Sequence, residues 1–477
     1  MQNAPANTWD NVVSRFPAPD NATEVHDIPV NEHALKPSGL DAIQVTGGNT
    51  LNGQITISGA KNAGLKHLCA ALLTSDPMQF TNMPVTLQDI RTLGAVIREL
   101  GVHVAFRSDG AALVHAANIA STCAPYDLVR KMRASILVLG PLLAREGHAE
   151  ISMPGGCAIG TRPIDLHLMG FEAMGAQCVL EDGYVKATAP QGGLKGAIIN
   201  FPKVSVGATE NIMMAATLAK GETVLINAAR EPEIVDQGNA LIKMGAKIDG
   251  LGTSEIHIQG VDRLHGCSHS VLPDRIETGT FLIAVAMTGG EVTLRNVDLS
   301  SLRPLLDRLR YAGVAINDHG DGTVTVSRDK NQPLRGTDIM TEPHPGFPTD
   351  LQAQFMSMLT QCSGAGLVTE TIFENRFMHV PELNRLGADI TVQGNSAIVR
   401  GVPQLMGAEV MATDLRASVA LILAGLVAQG TTTVNRIYHL DRGYERIVDK
   451  LQGVGAQISR VPGRPELAET EAEQNAA

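Results

Sequence analysis

A chain of 477 residues with 44% apolar content has room for two or three domains, each with a core of its own. Its net charge of −11 argues against general nucleic-acid binding, and no apolar run is long enough to span a bilayer. Cys69, Cys123, Cys157, Cys178, Cys267 and Cys362 are scattered, with no C-x-x-C pair and no metal-ligand spacing. Free thiols in a reducing cytoplasm are therefore expected, with no metal and no cofactor.

Residues 1–42 are polar and aperiodic and read as a disordered extension. They carry no basic-then-apolar signal pattern. Residues 464–477, with Glu466, Glu469, Glu471 and Glu473, read as an acidic tail. Between the two a unit recurs. Gly101, Gly175, Gly245, Gly313, Gly387 and Gly455 each precede an Ala or Val, about 70 residues apart, too long a period for a common solenoid. Each follows an amphipathic stretch such as 302–309, and fits a helix C-cap where a positive φ costs no Cβ clash. Each unit also has an earlier, more apolar helix. Met132, Ile136, Leu139 and Leu143 have the spacing of a buried helical face, as do Leu351, Phe355 and Leu359, and Leu415, Val419 and Ile422. Strand-like runs lie at 150–152, 223–226, 291–294 and 432–434. The unit reads βαβαββ. Six units grouped three and three give an α/β protein of two similar domains.

The unusual polar residues fall at helix starts. Lys61-Asn62, Met132-Arg133, 206–209, 273–277, 348–350 and 414–416 precede or open the apolar helices. Stretches 162–165, 230–233, 376–379 and 441–446 open the second helices. An Asp, Ser or Thr there is explained by N-capping. Lys and Arg are not, because the helix dipole disfavours a cation there by a few tenths to about 1 kcal/mol. A phosphate bound among such ends reverses that, at about 1.5–3 kcal/mol per charge-assisted hydrogen bond. The loop 154–165 stands apart. Gly155, Gly156 and Gly160 surround Cys157, with Arg162, Pro163 and Asp165 following, so a thiol and a guanidinium can swing onto one substrate.

The motifs at 58–63, 132–135, 154–165, 203–209, 229–233, 344–350, 373–376 and 441–446, in that order, closely resemble the UDP-N-acetylglucosamine branch of the enolpyruvyl transferase family. The resemblance runs from about residue 43 to 461, the whole chain minus its tails. It implies two inverted α/β barrel-like domains, each of three βαβαββ repeats, with residues 43–62 and 273–463 in one and 63–272 in the other. It implies transfer of the enolpyruvyl group of phosphoenolpyruvate to the 3′-hydroxyl of UDP-N-acetylglucosamine, with loss of phosphate. These two small molecules are the expected partners, with no nucleic acid and no membrane.

The resemblance also assigns roles. Cys157 is the implied general acid and the site of a covalent adduct; a free thiol, with a pKa of about 8.5, is still largely protonated at neutral pH. Asp350 is the implied base at the 3′-hydroxyl. Lys61, Asn62, Arg133, Arg162 and Arg442 are implied to hold phosphoenolpyruvate and to stabilise its leaving group, with Arg376 a weaker member of that set. Arg133, Arg162, Pro163, Ile164, Asp165, Leu166, Lys203, Val204, Ser205, Val206, Asp350, Ile372 and Phe373 are implied to hold the sugar nucleotide. The chain departs from the family at Gly64 and Lys66, where an alanine and then a proline are more usual. Two rivals remain: the branch acting on shikimate 3-phosphate, which needs no cysteine loop, and a non-catalytic sugar-nucleotide-binding paralogue.

Overall fold

All six repeat glycines adopt positive φ, from 86° at Gly101 to 105° at Gly313, each just past a helix and ahead of a strand. The computed structural model in which they are seen describes residues 16, 41–124, 126–129, 132–153 and 164–462. Cys157, Arg162 and Pro163 lie outside that set, as do the tail and all of the extension except residues 16, 41 and 42, the last two of which belong to the strand Asp41–Thr46 rather than to a disordered stretch. The described chain forms two compact units, 59–153 with 164–272, and 41–58 with 273–462.

Among the described residues there are six four-stranded sheets, three per unit, all wired alike: one parallel edge pair followed by two antiparallel pairings. In the first unit Ile198–Asn200 runs parallel to Glu222–Ile226, which pairs antiparallel with Glu255–Gln259 and that with Lys247–Asp249. In the second, Ile339–Met340, Ala365–Thr369, Ser396–Arg400 and Asp389–Gln393 repeat the pattern. Each unit is closed by strands distant in sequence. Ser268–Ser270 joins Met78–Thr81 in the first, and Asp41–Thr46 joins Thr431–Asn435 and Gln457–Pro462 in the second.

Composition decides which helices go inside. The Arg275–Thr288 helix buries every residue from Ile276 onward, and Leu415–Val427 buries its sequence from Arg416 to Leu426. A helix apolar on all sides must be surrounded by protein. The Arg303–Ala312 helix buries only Leu305, Leu306, Leu309 and Ala312, one stripe of a surface helix. Strands alternate, as in Thr323–Arg328 with Val324 and Val326 buried. Each unit thus wraps its apolar helices in sheets, the reverse of a common α/β barrel, as expected.

Two expected helices are not uniform: on the face of Leu351, Phe355 and Leu359, Leu351 belongs to a 3₁₀ turn, Thr349–Leu351, ahead of the α-helix Gln352–Leu359. The face of Met132, Ile136, Leu139 and Leu143 is split between a 3₁₀ helix, Arg133–Val138, and an α-helix, Leu139–Glu146. Pro141 has no N–H to offer the carbonyl four residues earlier, so the α-helix cannot extend back through it.

Candidate active site

In the second unit the side chains converge on Asp350. Arg376 donates from Nη2 to its Oδ1 at 2.8 Å, and Arg416 from Nη2 to its Oδ2 at 2.7 Å. Both arginine side chains are buried, while the carboxylate keeps 27% of its surface exposed. Burial alone pushes this carboxyl up, but the Arg416 and Arg376 guanidiniums outweigh it and hold it well below the usual carboxylate range. Arg376 also lies 5.3 Å from the centre of the Phe373 ring, and Arg416 5.5 Å from that of Tyr444. The Tyr444 hydroxyl is held by Gln354 and Thr280, both at 3.0 Å, and Gln354 donates to the Asp350 carbonyl at 2.9 Å. The carboxylate is fixed from both ends.

Glu370 shapes the neighbouring turn. Its buried Oε1 accepts from the backbone N–H of Ile372 at 2.8 Å and of Phe373 at 3.2 Å, and from Thr341 Oγ1 at 2.8 Å. Oε2 accepts from Thr349 Oγ1, the residue before Asp350, at 2.9 Å. One carboxylate therefore couples the Ile372-Phe373 turn to the Asp350 turn. Arg442 closes the 3₁₀ helix Ile437–Arg442 and is half-buried. Burial first and Arg442 second push the imidazole of His439 down to about 4, so that ring is neutral at physiological pH.

In the first unit Lys61 and Asn62 open the Lys61–Ala70 helix. Lys61 is buried and donates from Nζ to Asp89 Oδ2 at 3.0 Å. Gly64 is explained by close approach: a Cβ there would lie 2.6 Å from Met83 Sδ and 3.2 Å from Ile90 Cδ1. Arg133 opens the Arg133–Val138 3₁₀ helix. Ile164 and Leu166 are buried at the start of the Asp165–Ala173 helix, with Asp165 exposed between them. Lys203 is exposed, Val204, Ser205 and Val206 are half-buried, and Ser205 Oγ caps the Val206–Ala216 helix by accepting from the Ala208 N–H at 3.3 Å. The segments 164–166 and 203–206 are tied together by His167 Nδ1 and Asn211 Nδ2, 3.1 Å apart.

The structure sorts caps from other roles. Asp274 and Asp414 cap their helices, each accepting from two backbone N–H groups. Asp350 does not; the turn it sits in has Pro348 as its N-cap residue. The cations at helix starts are in part answered by the protein itself, Lys61 by Asp89 and Arg416 by Asp350. Arg416 and Glu370 had not been singled out as site residues. Arg416 carried a signal, a cation in a helix's first turn, whereas Glu370 carried none.

The profile of the EPSP synthase (3-phosphoshikimate 1-carboxyvinyltransferase) family matches residues 45–451. The chain belongs to the enolpyruvyl transferase family. A Hyphomonas neptunium UDP-N-acetylglucosamine 1-carboxyvinyltransferase is 57% identical over 429 residues, 90% of this chain and 100% of that relative. A Dinoroseobacter shibae protein of the same name is 59% identical over 423 residues, covering 88% and 99%. Among solved structures, the enolpyruvyl transferase NikO from Streptomyces tendae superposes with a TM-score of 0.78 at 26% identity, covering 89% of this chain and 100% of that one. An EPSP synthase from Acinetobacter baumannii, at 19% identity and a TM-score of 0.70, shares the fold. The resemblance read from the motifs and the expected fold class are both borne out. This chain is an enolpyruvyl transferase.

Proposed function

We infer that this enolpyruvyl transferase moves the enolpyruvyl group of phosphoenolpyruvate to the 3′-hydroxyl of UDP-N-acetylglucosamine and releases phosphate, the first committed step of peptidoglycan synthesis. The observation that carries this reading is Asp350, a carboxylate held ionised by Arg376 and Arg416 beside Phe373, in a chain 57–59% identical to relatives named for that reaction. No helix among the described residues is long and apolar enough to cross a membrane, and both substrates are water-soluble, which supports a cytoplasmic protein in bacteria.

The chemistry needs an acid, a base and a cradle for anions. A proton is added to the methylene carbon of phosphoenolpyruvate, leaving the neighbouring carbon cationic. The sugar 3′-oxygen bonds to that carbon and gives up its own proton. The methyl group then loses a proton, the double bond reforms, and phosphate departs with the electrons of its C–O bond. Cys157 donates the first proton in this reading, and its thiol can also add to the activated carbon. The glycines flanking Cys157 permit a closure that excludes water from the cation.

Asp350 is ionised but weakly basic because of its two arginines. That suffices, because bond formation to a cationic carbon makes the attacking hydroxyl strongly acidic. The carboxylate orients the hydroxyl and takes its proton as the C–O bond forms. Lys61, Asn62, Arg133, Arg162 and Arg442 hold the carboxylate and phosphate and stabilise the departing charge. Residues 162–166, 203–206 and Ile372-Phe373 hold the nucleotide and sugar.

The test is phosphate release from phosphoenolpyruvate, measured with and without UDP-N-acetylglucosamine and again after fosfomycin, the epoxide that alkylates the corresponding cysteine in this family. Release that needs the sugar nucleotide and stops with the drug is expected. Release with shikimate 3-phosphate instead would move the chain to the other branch, and binding of UDP-N-acetylglucosamine without release would make it a non-catalytic paralogue. Cys157→Asp should keep transfer and resist the drug, and full activity in Cys157→Ala would remove the general-acid role.

A further inference from the structure

The helix that begins with Lys61 is held by three acids from three other helices of its unit. Asp89, in Gln88–Glu99, takes Lys61 at 3.0 Å. Glu210, in Val206–Ala216, stands 3.1 Å from Lys66. Asp236, in Pro232–Lys243, takes His67 Nε2 at 2.7 Å on one oxygen and His269 Nε2 at 2.9 Å on the other. Lys66, His67, Glu210 and His269 are all buried. At 3.6 residues per turn, the side chains of residues 66 and 67 project roughly 140° and 240° round the axis from Lys61. Three contacts so spaced oppose both rotation and sideways shift of the helix.

Asp236 reaches the helix a second way. Its Oδ2 accepts from the Leu272 N–H at 3.4 Å, and the Leu272 carbonyl accepts from the N–H of Ala60, the residue just before Lys61, at 2.8 Å. The arrangement does not suit a metal at the two imidazole Nε2 atoms. Nδ1 of both rings is buried without a partner among the described residues, so a metal would strand two N–H donors that ligating histidines normally place. With Nε2–H on Asp236, each ring leaves only an acceptor unpaired. Lys66 stands where the family more often has a proline, which has no amine to offer Glu210.

We propose that Glu210 and Asp236 are positioning residues for the reaction: by clamping Lys66 and His67 they set where the helix presents Lys61 and Asn62 to phosphoenolpyruvate. The proposal rests on the reading of Lys61 as an anion-holding residue. Neither acid touches the substrate in this scheme. Each acts through the helix, so loosening a clamp lowers phosphoenolpyruvate affinity and spares the rest of the cycle.

The experiment compares Asp236→Asn and Glu210→Gln, both close in volume to the residues they replace, with wild type in the full chain. Amide hydrogen exchange is followed over residues 61–70, with the Leu139–Glu146 helix as internal reference. Faster exchange confined to 61–70 is expected, together with a KM for phosphoenolpyruvate raised about tenfold and a kcat within about twofold. The KM for UDP-N-acetylglucosamine should stay within about twofold in Asp236→Asn. Unchanged exchange over 61–70 would overturn the clamp. So would a lower melting temperature with both KM values unchanged, which is what a purely structural role predicts. Lys61→Ala separates the underlying reading: if it leaves the phosphoenolpyruvate KM unchanged, Lys61 holds no anion, while the exchange data still decide whether the acids clamp the helix.

Discussion

The two units solve one electrostatic problem in opposite ways. Around Asp350 one acid is shared by two guanidiniums, which stay charged at any pH a protein survives. Around the Lys61–Ala70 helix the bases are two lysines and a histidine, answered by three acids from three other helices, one of which, Asp236, also takes His269. The first arrangement fixes a charge. The second fixes a helix, through groups whose protonation responds to burial. Burial raises the Glu210 carboxyl to about 7 against the pull of Lys66, whereas the arginines outweigh burial at Asp350. Arginine clusters therefore suit a group that must stay ionised through a catalytic cycle.

The largest effect should come from Asp350→Asn. It leaves two buried guanidiniums facing each other with the one carboxylate charge they share gone, and a buried pair broken on one side costs about 3–5 kcal/mol. Loss of the proton acceptor proposed above should also lower kcat by about 10²–10⁴-fold. Chemical denaturation and phosphate-release assays read the two losses separately. Full activity in this variant would end the assignment of Asp350 as the base.

Next is Arg416→Lys, which makes the second unit's pair resemble the first unit's. A lysine cannot stack over Tyr444 as a planar guanidinium does, and its charge responds to burial. A new pH dependence should appear in kcat/KM, with a fall of about tenfold or more near neutral pH. Wild type should show no limb from Asp350 anywhere above pH of about 4, since its carboxyl sits below the ordinary value.

How much of this could be read beforehand depends on range in sequence. The six repeat glycines and the apolar helices follow local rules, a left-handed cap and a 3.6-residue period, so they were legible. Asp350 and Arg376 were legible as residues, but their pairing with each other and with Arg416 was not. Arg376 and Arg416 lie 26 and 66 positions from Asp350, and nothing periodic links them. Glu370 looked like any acid at the end of a strand, yet it organises two turns of the candidate site through four hydrogen bonds. The cations at helix starts pointed to bound phosphate, and the folded chain shows that internal carboxylates answer two of them. Lys66 was visible as a departure from the family, while its partner Glu210 could be found only once the helices were packed.

The pH response of stability should distinguish the two acids that clamp the Lys61 helix. Glu210 has its folded pKa raised, from an ordinary 4.5 to about 7, with burial the main cause. Such a group contributes stability in full below its unfolded pKa and loses it as pH rises through the folded value. The Glu210 share of the melting temperature should therefore decline across the window from 4.5 to about 7, and Glu210→Gln should flatten that slope. Asp236 is the reverse. Burial pushes it up, but hydrogen bonds from His269 and His67 bring it below its ordinary 3.8. Its contribution is present above that value and is lost as pH falls further below it. Melts of Asp236→Asn should thus differ from wild type in slope only on the acid side.

The smallest effect is expected where charge is equally plain but water is present. Asp389 and Arg400 face each other across two strands of the second unit, with Nη1 and Oδ1 3.1 Å apart and side chains 54% and 46% exposed. That distance is close to the 3.0 Å of the buried Lys61–Asp89 pair. An exposed pair nonetheless contributes only about 0–1 kcal/mol, because solvent screens the attraction and ordering two side chains offsets much of it. Asp389→Asn should leave the melting temperature within about two degrees of wild type and phosphate release unchanged. Added salt should erase even that difference, while the Asp350→Asn deficit should persist, because buried charges are screened far less. A large loss from Asp389→Asn would mean that separation rather than burial sets the strength of these pairs, and the contrast between the two units would then need another cause.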